Sequence, residues 1–251
     1  GSQYVKDVFI KNQPNPRLIE VDVMLSNEGQ RTEGKLFMEI REHKSGNVVY
    51  ADEYKLGMLE PGEVLKTYRI KLQNAKLWSV DEPNLYDLRV KLNDDEITER
   101  FGFRWFEVKD VKGDRQFYLN GKRIVLRTAI SWSFWPNNGI TPSDELAERQ
   151  VRIAKELGLN MLNFHRSIGC ENVLDYADEL GLLYFEEPGG NQYPIQRFND
   201  DDKQSRFYFK YRDEKLSRMI KRDRNHPSLI IYNLHNERGA YPQEQDYEQM
   251  R

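Results

Sequence analysis

The chain has 251 residues, of which 38% are hydrophobic and 12% aromatic, enough apolar material for one large domain or two ordinary ones. Its 38 Lys and Arg residues are scattered and nearly balance 41 Asp and Glu residues, which excludes a basic nucleic-acid-binding surface. No apolar stretch has membrane-spanning length, and the single cysteine, Cys170, excludes an intramolecular disulfide. We therefore expect a soluble protein without nucleic-acid or membrane partners. The compartment stays open, and a periplasmic or secreted full-length parent is compatible with the sequence.

Residues 1–106 have the pattern of a β-sandwich. In residues 19–25, Ile, Val, Val and Leu alternate with Glu, Asp and Met, the period of a sheet with one buried face. Turn residues such as Gly29, Gly46 and Pro61 separate the apolar runs. About seven strands in about 100 residues predict an immunoglobulin-like sandwich. Six of these strands are predicted at Val5–Lys11, Arg17–Ser26, Lys35–Glu42, Val48–Leu56, Val64–Leu72 and Leu85–Leu92.

After Asp110 the pattern changes to apolar strands that alternate with amphipathic helices. A helix is expected to start at Thr141-Pro142-Ser143-Asp144, and the sequence Glu-Leu-Gly-Leu ends two successive helices at residues 156–159 and 179–182. We expect Leu146, Ile153, Ala154 and Leu157 to face inward on the first helix. Strands are predicted at Lys122–Arg127, Met161–Phe164, Leu182–Phe185 and Leu229–Tyr232, and helices at Glu171–Leu180 and before the fourth strand.

Alternating strands and helices imply a parallel sheet. Four such units are about half of a (β/α)8 TIM barrel, which takes about 250 residues. We therefore predict that residues 107–251 form the first half of such a barrel, strands one to four. A small doubly wound sheet is the competing architecture. The sequence does not support it, because no Gly-rich phosphate turn follows any strand. The same absence argues against a dinucleotide-binding oxidoreductase. No cofactor is expected.

One run of residues is informative about function. It extends from Arg222-Asp223-Arg224-Asn225-His226-Pro227-Ser228 through the fourth strand to Asn236-Glu237, and it resembles glycoside hydrolase family 2, the β-galactosidase, β-glucuronidase and β-mannosidase group. The resemblance extends over nearly the whole chain. Leu77-Trp78-Ser79, with Pro83, Leu85 and Tyr86, is similar to the family's sandwich signature. Gly102-Phe103-Arg104 is similar to its last sandwich strand, and Phe117–Lys122 to its entry into the barrel.

The resemblance implies that Glu237 is the general acid/base and that Asn236 holds the 2-hydroxyl of the sugar. A carboxyl group fits that position because glycosidic cleavage needs a proton donor and a second carboxylate. In the family that second carboxylate, the nucleophile, is a glutamate at the end of strand seven, which lies beyond Arg251. His235 occupies the position of a family glycine and is a candidate sugar contact.

Other strand ends give weaker candidates for the sugar subsite. His165 and Arg166 follow strand two, where Asn163 replaces a family arginine, and the alternative for both is a structural salt bridge. One of Glu186 and Glu187 is expected to pair with Arg166. Trp132 and Trp135 follow strand one and could stack on a sugar ring or pack in the protein. Trp78 and His226 are interpreted as structural, and no metal site is predicted.

These observations favour the interpretation that the chain is part of a retaining exo-β-glycosidase that hydrolyses terminal β-linked sugars. Its expected partner is the carbohydrate substrate. The 251 residues by themselves are expected to be inactive because the nucleophile is missing. The alternative is a non-catalytic carbohydrate-binding or scaffold protein on the same fold. A homo-oligomer is compatible with the sequence, since half a barrel leaves strand edges unpaired.

Overall fold

The computed structural model describes residues 1–132, 141–188 and 203–233. The first seven strands are β1 (Gln3–Asn12), β2 (Leu18–Asn27), β3 (Thr32–Glu42), β4 (Val48–Leu59), β5 (Gly62–Lys71), β6 (Tyr86–Leu92) and β7 (Asp95–Phe101). They are antiparallel and form two facing sheets, one with the order β1-β2-β5 and one with the order β4-β3-β6-β7. This is the predicted immunoglobulin-like sandwich.

The core of the sandwich lies between the two sheets, as the alternation predicts. Ile19, Val21, Val23 and Leu25 of β2 are at most 1% exposed, and they face an equally buried row from β3 and β6. Burial of such aliphatic side chains stabilises the fold by about 1.5–3 kcal/mol each.

The seventh sandwich strand is not where the family signature places it. β7 ends at Phe101, and Gly102-Phe103-Arg104 lies outside any strand. Asn93, with a φ of 53°, and Asp94 form the two-residue turn between β6 and β7, whose register pairs Leu92 with Asp95. This polar strand was missed because its side chains are mostly charged.

A small antiparallel sheet follows the sandwich. It contains β8 (Phe106–Val111), β9 (Asp114–Leu119) and the two-residue β10 (Lys122–Arg123) in the order β10-β9-β8. The prediction of the first barrel strand at Lys122–Arg127 is therefore wrong. Asn120 and Gly121 both have positive φ, 53° and 77°, and they turn the chain back onto β9.

The barrel region begins with β11 (Thr128–Ser131) and continues with β12 (Met161–Phe164), β13 (Leu183–Glu186) and β14 (Leu229–Tyr232). These strands form one parallel sheet in the order β11-β12-β13-β14. The helices are α1 (Asp144–Glu156), α2 (Glu171–Leu180) and α3 (Lys203–Asp223). This is the predicted partial α/β barrel. None of the described helices is both long and apolar enough to cross a membrane.

The inward face of α1 agrees with the expected one at Ala154 but differs at Ile153 and Leu157. Ala147, Val151 and Ala154 are buried, whereas Ile153 is 37% and Leu157 75% exposed. The buried residues are spaced by four and three positions, and their small side chains let the helix lie close to its neighbours. Expecting the largest side chains to face inward gave the wrong stripe. The prediction for α2 is confirmed, since Val173, Leu174 and Ala177 are buried.

The sandwich and the barrel region share a buried interface that depends on Trp78. Its ring is fully buried, and its indole N–H donates to the carbonyl oxygen of Asp178 in α2 at 2.8 Å. The Arg104 guanidinium donates to the carbonyl oxygens of Pro227 and Leu229 at 2.9 and 2.8 Å, just before and in β14. The polar groups of these two side chains are therefore paired with backbone groups across the interface.

Candidate active site at the strand ends

The carboxyl ends of the four parallel strands meet at one edge of the sheet. In barrels of this kind the reacting groups lie at that edge. The described residues directly after the strands are Trp132, His165, Glu187 and Asn233. His165 is anchored there because its backbone N–H donates to the carbonyl oxygen of Ser131 at 2.9 Å.

Trp132, His165 and Arg166 form a contiguous cluster. The rings of Trp132 and His165 meet edge to face with centroids 4.4 Å apart, and the Arg166 guanidinium lies 5.9 Å from the Trp132 ring. Trp132 is 50% exposed, so part of its ring is open to a ligand. An open indole face next to the Arg166 guanidinium and the His165 ring nitrogens is suited to sugar C–H groups and hydroxyls.

Glu187 contacts two residues of this cluster, His165 and Arg166. It is 2% exposed, and one carboxylate oxygen accepts the backbone N–H of Arg166 at 3.0 Å while the other lies 4.0 Å from His165 Nδ1. Arg166 has a φ of 57°, in the left-handed region. A non-glycine residue in that region costs about 1–3 kcal/mol and must be held by its surroundings. The Glu187 contact is one such restraint.

Glu186 faces away from the cluster, on the helix side of the sheet. It is fully buried, and its Oε1 accepts the backbone N–H of Gly169 at 2.7 Å. Burial, together with the neighbouring Asp223 carboxyl, raises the pKa of Glu186 to about 8. Asp223 is itself fully buried and is bound through both oxygens by Arg222, each at 2.7 Å.

Three of the predicted site residues, His235, Asn236 and Glu237, lie outside the described residues, as does Trp135. The described chain ends at Asn233, whose backbone N–H donates to the carbonyl oxygen of Glu186 at 2.8 Å. Asn163 lies within β12, and its Oδ1 is buried without a hydrogen-bond partner in the described part of the chain. Residue order alone did not identify Arg222 and Asp223 as site neighbours. The Arg-Asp pair that opens the family-like run was the available signal.

One cluster has the atoms for a metal ion, but its geometry indicates a structural role. Ligand atoms of Asp175, Asp178 and His226 lie within 4.8 Å of one another. The Asp178 carboxylate already accepts the Ser228 backbone N–H at 2.9 Å and contacts His226 Nδ1 at 2.6 Å, and Arg100 binds Asp175. Burial lowers the His226 pKa, but the carboxylates of Asp178, Asp223 and Asp175 together outweigh this effect and raise the pKa to about 9. His226 is therefore protonated at neutral pH and acts as the cation of this cluster.

Comparison with known proteins agrees with this geometry. The glycosyl hydrolases family 2 model matches residues 3–104, and the model of that family's TIM barrel domain matches residues 107–251. A β-galactosidase from Thermoanaerobacterium thermosulfurigenes is 32% identical over 241 residues, which cover 91% of this chain and 32% of the relative. A putative β-glucuronidase from Formosa agariphila is 33% identical over 175 residues, which cover 66% of this chain and 19% of the relative.

Solved structures show the same architecture. The β-glucuronidase of Parabacteroides merdae is 27% identical with a TM-score of 0.73, and the match covers 99% of this chain and 31% of that one. A glycosyl hydrolase family 2 member from Bacteroides cellulosilyticus shares the fold with a TM-score of 0.80 at 22% identity, over 99% of this chain and 34% of that one. The chain spans about a third of the length of these two proteins. From its first sandwich strand through the barrel strands that carry the cluster, this chain belongs to glycosyl hydrolases family 2.

Proposed function

We propose that the chain is part of a retaining exo-β-glycosidase, β-galactosidase-like, that hydrolyses terminal β-linked sugars. The observation that carries this proposal is the cluster of Trp132, His165 and Arg166 at the carboxyl edge of the parallel sheet. Asn233 lies at the same edge, four positions before Glu237 in the sequence. Relatives named β-galactosidase and β-glucuronidase support a β-glycosidase.

In the proposed mechanism Glu237 donates a proton to the leaving oxygen and later removes one from water. Asn236 binds the 2-hydroxyl group, and Trp132, His165, Arg166 and His235 hold the sugar. A retaining reaction needs a second carboxylate about 5–5.5 Å from the first, which attacks the anomeric carbon. We propose that this nucleophile lies in the remaining part of the whole protein. The 251 residues alone would then show no turnover of nitrophenyl β-galactoside, β-glucuronide or β-mannoside.

The role of Glu237 is tested in the full-length parent by Glu237→Gln. We expect kcat/KM to fall about 10²- to 10⁴-fold for substrates with poor leaving groups, because these need protonation of the leaving oxygen. For activated aryl glycosides, the rate of the glycosylation step should fall much less. Steady-state kinetics on a series of aryl leaving groups measures this difference.

Glu244→Gln, seven residues further along, is the matched control and should leave both substrate types unaffected. Equal losses on both leaving-group classes for Glu237→Gln would refute the assignment of the acid.

A further inference from the structure

Two buried carboxyl groups, Glu186 and Asp223, lie next to each other behind the candidate site. Both are 0% exposed, and the Asp223 carboxyl is close enough to Glu186 to raise its pKa. Arg222 is committed to Asp223, since its Nε and Nη2 donate to the two Asp223 oxygens at 2.7 Å each. The same Nη2 lies 3.8 Å from Glu186 Oε1, too far for a hydrogen bond. Arg222 therefore faces two buried acids and is hydrogen-bonded to only one of them.

The hydrogen bonds of Glu186 indicate its protonation state. Oε1 accepts the Gly169 N–H at 2.7 Å, whereas Oε2 has no donor among the described residues. An ionised carboxylate would leave a buried, charged oxygen unpaired beside a second negative group, which is strongly unfavourable. If Oε2 carries a proton, it becomes a donor and Asp223 is the acceptor. This assignment satisfies the unpaired oxygen and removes the repulsion between the two carboxylates.

We propose that Glu186 is a carboxylic acid in the folded protein, shares its proton with Asp223, and is a positioning residue for the strand end that leads to Glu237. The proton is taken up from solvent when the chain folds. The hydrogen bond joins the end of β13 to the end of α3. The backbone of Glu186 also holds β14, because its carbonyl oxygen accepts the Asn233 N–H at 2.8 Å. The positioning part rests on the proposed function, whereas the shared proton does not.

The surroundings of Glu186 act in two directions: burial and Asp223 favour the neutral form, whereas the Gly169 N–H and Arg222 favour the ionised form. Gly169 is required for the close approach, since a Cβ there would lie 2.4 Å from Phe164 and 3.0 Å from Glu186 Oε1. Arg222 is the cation nearest to Glu186 among the described residues. Among the described residues, the other titratable groups that act on Glu186, on Asp223 or on Arg222 are Cys170, Glu171, His226 and Tyr232. Glu187, the next residue in the chain, faces His165 and Arg166 instead.

A pH dependence of stability follows from the shared proton. The pKa of Glu186 is about 8 in the folded protein against an ordinary value of 4.5, so the folded state binds one more proton between these values. Stability from this group is complete below pH 4.5 and is lost as the pH rises to about 8. The unfolding equilibrium constant of wild type should therefore rise by up to about 10³-fold over this range relative to a variant that cannot ionise.

The test compares wild type with Glu186→Gln and Glu186→Met in the 251-residue chain. Gln has the shape of the protonated acid and can donate to Asp223, whereas Met has similar length and cannot. Urea unfolding from pH 5 to pH 9 gives the ratio of unfolding constants, in which the overlapping titration of His226 cancels. We expect wild type to lose stability relative to Glu186→Gln as the pH rises, and Glu186→Met to be the least stable at pH 5.

Infrared difference spectra give a second readout that does not depend on unfolding. Wild type at pH 6 should show the carbonyl stretch of a buried carboxylic acid, and Glu186→Gln should lack it. A ratio of unfolding constants that stays within threefold from pH 5 to pH 9, or spectra without that band, would overturn the shared proton.

The positioning role is tested in the full-length parent by steady-state kinetics. Glu186→Met should lower kcat about 10- to 10²-fold with little change in KM, because displaced catalytic groups slow the chemical step. Glu186→Gln should recover most of that loss. If the shared proton holds and Glu186→Met keeps its kcat, the positioning role is wrong. The Glu237 assignment is tested separately, because its failure would be seen in the kinetics of Glu237→Gln on the aryl leaving-group series.

Discussion

Gly158 and Gly181 end two successive helices in the same Glu-Leu-Gly-Leu sequence, but their surroundings differ. Their φ angles are 80° and 78°, the left-handed conformation that commonly follows a helix. A Cβ on Gly158 would meet nothing within 4 Å. A Cβ on Gly181 would lie 2.5 Å from the carbonyl oxygen of Val80, which Lys155 Nζ also contacts at 2.7 Å. Gly181 therefore fits against the sandwich as well as ending a helix.

This difference predicts unequal costs for the same substitution. Gly158→Ala should destabilise the chain by about 1–2 kcal/mol, the penalty for a left-handed alanine. Gly181→Ala carries that penalty and a backbone clash, so its cost should be about 2–5 kcal/mol. Urea unfolding of the two variants measures both values. Equal decreases in the free energy of unfolding would show that the Val80 backbone can move away from the added Cβ at little energetic cost.

At the candidate site, the sequence predicted residues that follow strands and missed those that act through burial. Trp132, His165 and Arg166 could be named because each lies in a segment that follows a predicted apolar strand. Asp223 ends a helix 37 positions after Glu186, and nothing in residue order indicates that the two carboxyls meet. The positive φ of Arg166 could not be predicted either, because a residue other than glycine gives no indication of that conformation in the sequence.

Among the elements, the segment of residues 222–228 joins the barrel region to the sandwich. Asn225 is the centre of this contact: its Oδ1 accepts the Ile10 N–H, and its Nδ2 donates to the Val8 carbonyl oxygen and to Glu99 Oε2, each at 3.0 Å. Ile10 and Val8 are at most 3% exposed, so water cannot easily replace these bonds. The run that resembles the family signature therefore also has a structural function before the strand.

We predict that Asn225→Ala lowers the free energy of unfolding by about 2–4 kcal/mol, because it leaves buried backbone groups of β1 unpaired. Asn15→Ala is the matched control. That side chain is exposed and bonds only locally to the Arg17 N–H at 3.1 Å, so its loss should cost within about 0.5 kcal/mol. Denaturant unfolding compares the two. A cost for Asn225→Ala as small as that of the control would mean that the interface does not depend on this amide.

The sequence predicted elements well where periodicity was strong and poorly where turns decide the path. The bounds of β12, α2 and β14 agree with the prediction, since apolar runs there end at clear stop residues. The first barrel strand was placed too early because residues 124–126 form an apolar run like that of a strand. The Asn160 side chain redirects this segment instead: its Oδ1 accepts the Arg127 N–H at 2.7 Å, and its Nδ2 donates to the Val125 carbonyl oxygen at 2.9 Å. A long-range side-chain contact of this kind leaves no local pattern.

In the whole molecule, the described part of the parallel sheet has two strands that each pair on one side only. β11 pairs with β12, and β14 pairs with β13, whereas strands of a complete barrel pair on both sides. Ile130 of β11 is 53% exposed, on the face that would line a barrel. An unpaired edge with exposed apolar side chains favours pairing with another chain.

We predict that the 251-residue chain associates through the edges of β11 and β14, or that its barrel region exchanges backbone amides much faster than its sandwich. Light scattering after gel filtration and hydrogen exchange measure the two outcomes. Ile130→Lys should reduce association, because a charge on the exposed edge strand opposes pairing. Ile153→Lys, on the outer side of α1 and 37% exposed, is the matched control and should not. A monodisperse monomer whose Leu229–Tyr232 amides are protected as long as those of Ile19–Leu25 would contradict the prediction, because those β14 amides would then have a stability that an unpaired edge does not provide.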